Sequence, residues 1–415
     1  MATVELDTLD PPRMKISSFS LKVASRCNLN CTYCYVYNKG DQSWKSRPGI
    51  MTDATFHAAL NRIRRHCQAS GQKSIRIVFH GGEPMLIGPE RLARWCSEGR
   101  RALDGIAKVA YGIQTNGTLI DRAWTDVLSE YGVHVGISID GLPSVHDATR
   151  IDHQGRGSYG RTLAGIQCLR DAGLSFGILC VIPLGEDPLA THHHLVGLGC
   201  RSIAYLMPHF THDDIGPIRE RYGPNPCADF LLPILDDWWH NSTLELRIRE
   251  FWNVGRLLMG GRSKVDTLGN DPYGFLFVEA GGEIEGLDIL RTCAGSLYRI
   301  GLTVHDSDFA DVLKVSSLHA ALLTGKVPIP SGCQQCAECR TCSGGYFPNR
   351  YSVAKGFDNP SVWCADLLLL FSRMRQLMGV TYEDTERFRA ELEGSGTVDT
   401  DVVGQPQEVR SSLGL

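Results

Sequence analysis

At 415 residues, with 43% hydrophobic and 21% charged content, the chain is long enough for two domains of ordinary size and reads as a soluble globular protein able to bury a full core. A formal net charge of −4 gives no basic stripe, and the acidic N-terminus lacks an apolar signal segment; with no run of about eighteen apolar residues, nucleic-acid and membrane partners are excluded and a cytoplasmic location is expected. Fifteen cysteines in a large unsecreted chain fit metal or cluster ligation better than disulfides.

Residues 1–16 read as an N-terminal extension, too short for a separate leader-binding domain, and a strand is predicted over 17–23. It leads into Cys27-Asn28-Leu29-Asn30-Cys31-Thr32-Tyr33-Cys34. The C-x3-C-x2-C spacing supplies three thiolates to a cluster that needs four ligands, which leaves one iron open to bind and reduce a small molecule. A zinc knuckle is the alternative, but it would want a fourth Cys or His close by, and none occurs between Cys34 and His57.

A helix follows at Asp53–Ala69, with Phe56, Ala59, Leu60 and Ile63 on one face and Thr52 as cap. The apolar strand at 75–80 ends in His80-Gly81-Gly82-Glu83-Pro84, where two glycines let backbone approach a ligand and Glu83 can accept from an ammonium group. Further strands are predicted at 108–115, 133–139, 174–181 and 200–206, with helices at 89–104, 120–131, 160–172 and 188–198. Six βα units predict an α/β fold, a parallel sheet curved into a partial (β/α)6 barrel over 17–225, with ligands at the strands' C-terminal ends. Cys27, Gly81, Thr115-Asn116-Gly117 and Ser138-Ile139-Asp140-Gly141 then crowd one rim. His209-Phe210-Thr211-His212-Asp213-Asp214 after strand six lies on the same rim, as a substrate-contacting loop or, alternatively, a metal site. His192-His193-His194 is expected in solvent, and Cys67, Cys96, Cys168, Cys180 and Cys200 as buried inert thiols.

Beyond about residue 225 the alternation fades. A linker helix (Asp229–His240), a hairpin turning at Gly281-Gly282-Glu283 and a small cysteine-rich region make up 226–380, with a C-terminal helix and mobile tail over 381–415. Its hallmark is Cys333-x2-Cys336-x2-Cys339-x2-Cys342, with Cys364 further on, a spacing open to zinc or to a ferredoxin-like cluster.

Together the Cys27–Cys34 loop, with its aromatic Tyr33, and the Gly81-Gly82-Glu83-Pro84 run resemble the cluster loop and GGEP motif of the radical S-adenosylmethionine (radical SAM) enzymes. Cys333, Cys336, Cys342 and Cys364 resemble the SPASM domain of radical SAM peptide maturases. The flanking Ser343-Gly344-Gly345-Tyr346 and Gly356-Phe357-Asp358-Asn359-Pro360-Ser361-Val362-Trp363-Cys364 are similar to the subset that forms cyclophane crosslinks in ribosomal peptides. The fold this implies is a partial (β/α)6 radical SAM barrel carrying a small SPASM-like domain. Two positions at which the full SPASM pattern needs cysteines for a first auxiliary cluster hold Tyr346 and Leu287, and no cysteine lies between Cys227 and Cys293. One auxiliary [4Fe–4S] cluster is therefore expected, with Cys339 an extra thiol and Cys293 unable to hold a cluster alone.

The resemblance further implies that the open iron of the Cys27/Cys31/Cys34 cluster chelates SAM and that one electron releases a 5′-deoxyadenosyl radical, which takes hydrogen from a C–H bond. Gly81, Gly82 and Glu83 would hold the SAM amino group, and Ser138 and Asp140 the ribose. Asn116 and Arg150 are further candidates, with a turn residue and a surface charge as their plain alternatives. Rearomatising a crosslinked ring needs an electron acceptor, the auxiliary cluster, and a base, for which Asp288 is the candidate, ahead of Asp213 and Asp214. The expected partners are a precursor peptide and an external electron donor of flavodoxin or ferredoxin type, with the leader held at a sheet edge or by a separate protein. Thioether formation, sulfatase-type oxidation of Cys or Ser, and a non-catalytic iron–sulfur sensor or electron carrier are the rival readings.

Overall fold

The computed structural model describes residues 14–241, 246–293 and 296–394. The expectations for 1–13 and for the tail from 395 lie outside the described residues. The end of the N-terminal extension is already packed, since Ile16 is fully buried and its N–H donates to His66 Nε2 at 3.2 Å.

One sheet of ten strands runs through the described residues in the order β10-β9-β8-β1-β2-β3-β4-β5-β6-β7. The parallel series is β1 (Ser18–Ala24), β2 (Ser74–Gly81), β3 (Lys108–Thr115), β4 (His134–Ser138), β5 (Phe176–Val181), β6 (Ser202–Leu206) and the short β7 (Arg247–Ile248). Helices α1 (Asp53–Ser70), α2 (Pro89–Leu103), α3 (Arg122–Tyr131), α4 (Pro143–Thr149), α5 (Tyr159–Asp171) and α6 (Pro188–Gly197) occupy the crossovers. Thr52 Oγ1 accepts from Thr55 N at 3.1 Å to start α1, whose Phe56, Ala59, Leu60 and Ile63 are buried. Alternate residues of each strand serve different layers. On β1, Phe19, Leu21 and Val23 are buried in the core, while Lys22 is turned to the opposite face.

The hairpin does not form a separate layer. β8 (Phe275–Val278) pairs in parallel with β1, registering Leu21 with Val278, and β9 (Glu283–Glu285) and β10 (Arg299–Thr303) follow antiparallel. The sheet thus continues from the barrel into the C-terminal half, and the main core includes Leu367, Leu370 and Phe371 of the helix Cys364–Met378. Among the described residues no helix is long and apolar enough to cross a membrane.

Candidate functional site

The cluster loop leaves β1 at Ala24 and is held by hydrogen bonds from distant parts of the chain. Asn30 N donates to Ile151 O at 2.7 Å, Thr32 N to Thr149 O at 2.9 Å, and His153 Nε2 lies 2.9 Å from Cys27 O. The end of α4 and the segment after it therefore clamp the loop from outside, a role that no motif marks in the sequence, since α4 spans only 7 residues. Within the loop Cys34 N donates to Cys31 O at 3.0 Å and Asn38 Nδ2 to the same carbonyl at 2.8 Å.

Gly81 and Gly82 make room for this loop. Gly81 has φ +129°, and a Cβ there would collide with Ala24 O; a Cβ on Gly82 would collide with Arg26 O and the Tyr37 hydroxyl. Gly82 N and Glu83 N donate to Ala24 O and Arg26 O at 2.8 and 3.0 Å. The close approach that the sequence assigns to a ligand is thus made first by the backbone of the cluster loop itself.

Glu83 is fully buried and accepts from Thr115 Oγ1 (2.7 Å), Asn116 N (2.9 Å) and Met85 N (3.0 Å). Burial pushes its carboxyl up to about 6 against the pull of those donors. Of the roughly four lone-pair sites on a carboxylate, three are thus filled from within the protein.

Two expected SAM contacts have other occupations. Asp140 receives Arg150 Nε at 2.7 Å and Nη2 at 3.2 Å, Val181 N at 2.9 Å and the Tyr33 hydroxyl. These contacts fill its acceptor sites, and Asp140 anchors Arg150 and, through Tyr33, the cluster loop. Asn116 donates to Asn28 Oδ1 at 2.8 Å and lies 3.9 Å from Cys27 Sγ, while its carbonyl accepts from Thr118 N and Oγ1 at 3.0 and 2.7 Å. The side chain positions Cys27 and has no group left over. Ser138 accepts from Gln114 Nε2 at 2.9 Å and keeps its O–H to donate. Arg150 is not a surface charge, being 8% exposed, and keeps guanidinium N–H groups beyond the two on Asp140.

Asp288 lies at the N-terminus of the 3-10 turn Asp288–Thr292, next to the cluster loop. It is 4% exposed, with Tyr35 Oη donating to Oδ2 at 2.8 Å and Lys22 Nζ at 2.9 Å. Burial would raise its carboxyl, but Lys22 and Arg291 outweigh that and hold it below the ordinary range.

In the C-terminal region the chain turns through Cys336 N to Cys333 O (3.1 Å) and Cys339 N to Cys336 O (2.9 Å), then through the one-turn helix Cys339–Cys342. Ser343, Gly344 and Gly345 all have positive φ, at +54°, +86° and +73°. These left-handed residues fold the strand back so that Ser361 N reaches Gly344 O at 2.9 Å, bringing Cys364 close to Cys333 and Cys342. Burial first, then the charge of Cys364, pushes the Cys342 thiol up to about 12. Cys339 also lies near Cys333. Tyr346 is turned to Asp266, and Leu287 packs with Ile289, Leu290, Cys293 and Phe347 in a second apolar cluster, giving Cys293 the surroundings of an inert thiol.

The chemistry of the donor sets fits iron–sulfur clusters. All the cysteines are free thiols, and Cys27, raised by burial, then by Glu83, is affected by Cys31 and Cys34 as close neighbours. Loading metal on such thiols releases protons. Among the described residues no three His, Cys, Asp or Glu side chains converge on a single metal ion; a cluster does not ask this of them, because each thiolate ligates its own iron.

The 208–214 loop is stitched to the C-terminal region by Trp363 Nε1 to Pro208 O (2.9 Å), Asn349 Nδ2 to Phe210 O (2.7 Å), His212 N to Tyr351 O (2.9 Å) and Val353 N to Asp213 Oδ2 (2.9 Å). His212 Nε2 meets Pro360 O at 2.8 Å, so this loop is a joint rather than a ready ligand set. Beside it, Tyr205, Met207, His209, Arg249, Tyr346 and Trp363 line a small pocket.

The radical SAM superfamily profile matches residues 21–218. A serine-type anaerobic sulfatase-maturating enzyme of Klebsiella pneumoniae is 31% identical over 333 residues, covering 77% of either chain. Among solved structures, native anSMEcpe with bound AdoMet superposes with a TM-score of 0.73 at 22% identity, over 87% of this chain and 98% of that one. Streptococcus suis SuiB bound to the precursor peptide SuiA gives 0.56 at 14% identity, over 81% and 73%.

Proposed function

The chain belongs to the radical SAM family that includes the anaerobic sulfatase-maturating enzymes, and from that footing we propose that it installs side-chain crosslinks, cyclophane C–C bonds to an aromatic residue, in a ribosomally made precursor peptide. It is a radical SAM peptide-modifying enzyme whose cofactors are SAM and [4Fe–4S] clusters, an auxiliary one included. The observation that carries the crosslinking reading is that one cysteine set, not two, occupies the C-terminal region, with Tyr346 and Leu287 packed into protein where further thiols would be needed.

When bound, these groups supply the redox chemistry, a 5′-deoxyadenosyl radical that takes hydrogen from a C–H bond and an electron acceptor for the product radical. Cys27, Cys31 and Cys34 would hold the SAM cluster, and Cys333, Cys336, Cys342 and Cys364 the auxiliary one. Glu83, with one lone pair left, receives the ligand ammonium; Ser138 donates to a hydroxyl, and the remaining N–H groups of Arg150 meet a carboxylate. Joining an aliphatic carbon to a ring removes two hydrogens, one as an atom and one as a proton with loss of an electron. Asp288, ionised and hydrogen-bonded to Tyr35, is the proton acceptor. An external flavodoxin- or ferredoxin-type donor supplies the first electron, and the leader pairs with the outer edge of β10, which ends the sheet, or is held by a separate protein.

Sulfatase-type oxidation of a Cys or Ser is the second reading, favoured by the 31% identity to the Klebsiella pneumoniae enzyme. Coexpression with a candidate precursor peptide and tandem mass spectrometry separates the two. A crosslink lowers the mass by two hydrogens and blocks fragmentation between the joined residues. Oxidised serine loses the same mass, but it fragments normally and its aldehyde reacts with a hydrazide. An unmodified peptide, together with no 5′-deoxyadenosine on anaerobic incubation with SAM and reductant, would favour a non-catalytic iron–sulfur protein.

A further inference from the structure

Where β1, the β8–β9 hairpin and the turn carrying Asp288 meet, a network of charges is packed away from solvent. Lys22 Nζ lies 2.6 Å from Glu279, 2.9 Å from Asp288 and 3.5 Å from Glu285. Arg291 reaches Glu279 at 3.0 Å, Glu285 at 2.8 Å and Asp41 at 2.8 Å. Arg47 reaches Glu279 at 3.1 Å and Glu285 at 2.7 Å. Lys22, Arg47, Glu279, Glu285, Asp288 and Arg291 are 1–9% exposed. Glu283, 3.5 Å from Arg47, is 41% exposed at its side chain and is screened by water.

Four acids, Asp41, Glu279, Glu285 and Asp288, face three cations, Lys22, Arg47 and Arg291. One negative charge is left over inside the protein, and a buried carboxyl relieves such an excess by keeping its proton. Asp41 is the least enclosed of the four and has Ser43 and Tyr298 as donors, while Asp288 has the Tyr35 hydroxyl as well as Lys22. Glu279 and Glu285 instead crowd each other around the same three cations, each meeting Lys22, Arg47 and Arg291. Two carboxylates that share a site cannot both ionise cheaply. The other titratable groups nearby do not take the proton. His80 is buried and its imidazole is held neutral, and the Tyr35 and Tyr37 phenols are pushed up by burial.

We propose that Glu279 and Glu285 share one proton in the folded protein, and that this keeps Asp288 ionised beside the cluster loop. Burial draws the pair's proton upward on Glu285, while the cations, against burial, hold Glu279 and Asp288 low. The catalytic meaning rests on the reading of Asp288 as a base; the proton count does not.

Infrared spectra of the reconstituted full-length protein test this without reference to turnover. They are recorded near neutral pH, above the value of about 6 to which burial holds Glu83 and below the value of about 8 to which it pushes Glu285. The expected result is a protonated-carboxyl C=O band that shifts when glutamate, but not aspartate, carries carbon-13 at its carboxyl. Glu285→Gln and Glu279→Gln should each abolish it, since either change leaves three acids for three cations. The same proton makes stability fall as pH rises from the ordinary carboxylate range through the pair's titration, because the native state holds more protons than the unfolded chain. That slope should be diminished in Glu285→Gln, the part that remains belonging to Glu83, which burial also raises. No glutamate-sensitive band in the wild-type protein overturns the proposal even if the variants fail to fold, and so does a glutamate-sensitive band that persists in folded Glu285→Gln protein.

Discussion

The Tyr35 hydroxyl donates to Asp288 Oδ2 across 2.8 Å, joining the residue after Cys34 to one 253 positions away. The proposed base is therefore fixed to the cluster loop by a direct bond, with Lys22 of β1 on its other side at 2.9 Å. Geometry that places a proton acceptor against a radical-generating loop suits chemistry in which hydrogen atom and proton leave in succession.

Asp288→Asn keeps size and polarity but accepts a proton poorly. The expected variant binds SAM, releases 5′-deoxyadenosine and takes deuterium from labelled peptide, yet gives at least a tenfold smaller yield of crosslinked product, measured by mass spectrometry. Normal crosslinking by a folded Asp288→Asn protein would remove the base assignment and make Asp213 and Asp214 the next residues to test. On the acid side, Asp288 has its carboxyl held down by Lys22 and Arg291 against burial, so it adds stability above its unfolded pKa that is lost as pH falls through the lower folded value. Acid titration monitored by circular dichroism should show that loss diminished in Asp288→Asn.

Iron analysis tests the ligand sets. The reconstituted protein should hold about eight irons, at four per cluster. Alanine at Cys27, Cys31 and Cys34 together should leave about half of that and no SAM cleavage. Cys342→Ala should lose the auxiliary cluster and the product while SAM cleavage persists; Cys339→Ala should keep both, and the opposite outcome would move Cys339 into the ligand set.

Gly82→Ala tests the packing of the two motifs against each other. Its methyl group meets the Arg26 carbonyl, which cannot move aside as a side chain could, and overpacking of this kind costs about 1–3 kcal/mol. The expected result is a lower denaturation midpoint and poor incorporation of the Cys27/Cys31/Cys34 cluster, with the C-terminal cluster still loading.

Asp140→Ala leaves Arg150 buried without its partner, which should destabilise the protein by about 3–5 kcal/mol. The double variant Asp140→Leu, Arg150→Met should be less damaged in a urea unfolding curve. Both should weaken SAM binding, since each also frees Tyr33 of the cluster loop.

The barrel and its six parallel strands were legible because each is written locally, in period-two runs and in helix faces such as Phe56–Ile63. What was not legible lies in pairings between distant positions. Asp140 meets Tyr33 and Val181, which stand 107 and 41 residues away. Asn116 likewise faces Asn28, 88 residues earlier. A signal did exist for the charge network: Lys22 interrupts an apolar strand, and a lysine there demands buried acids, which the alternation of Glu283 and Glu285 in the hairpin could have suggested.

Because β8 lies in parallel register against β1, the barrel is not a module that can be detached at residue 225. A truncation there would uncover the edge of the strand that feeds the cluster loop and strand Lys22 without its counter-charges. Chimeras that exchange the cysteine-rich region between related chains should therefore place their junction after Asp288, carrying the hairpin with the barrel it completes.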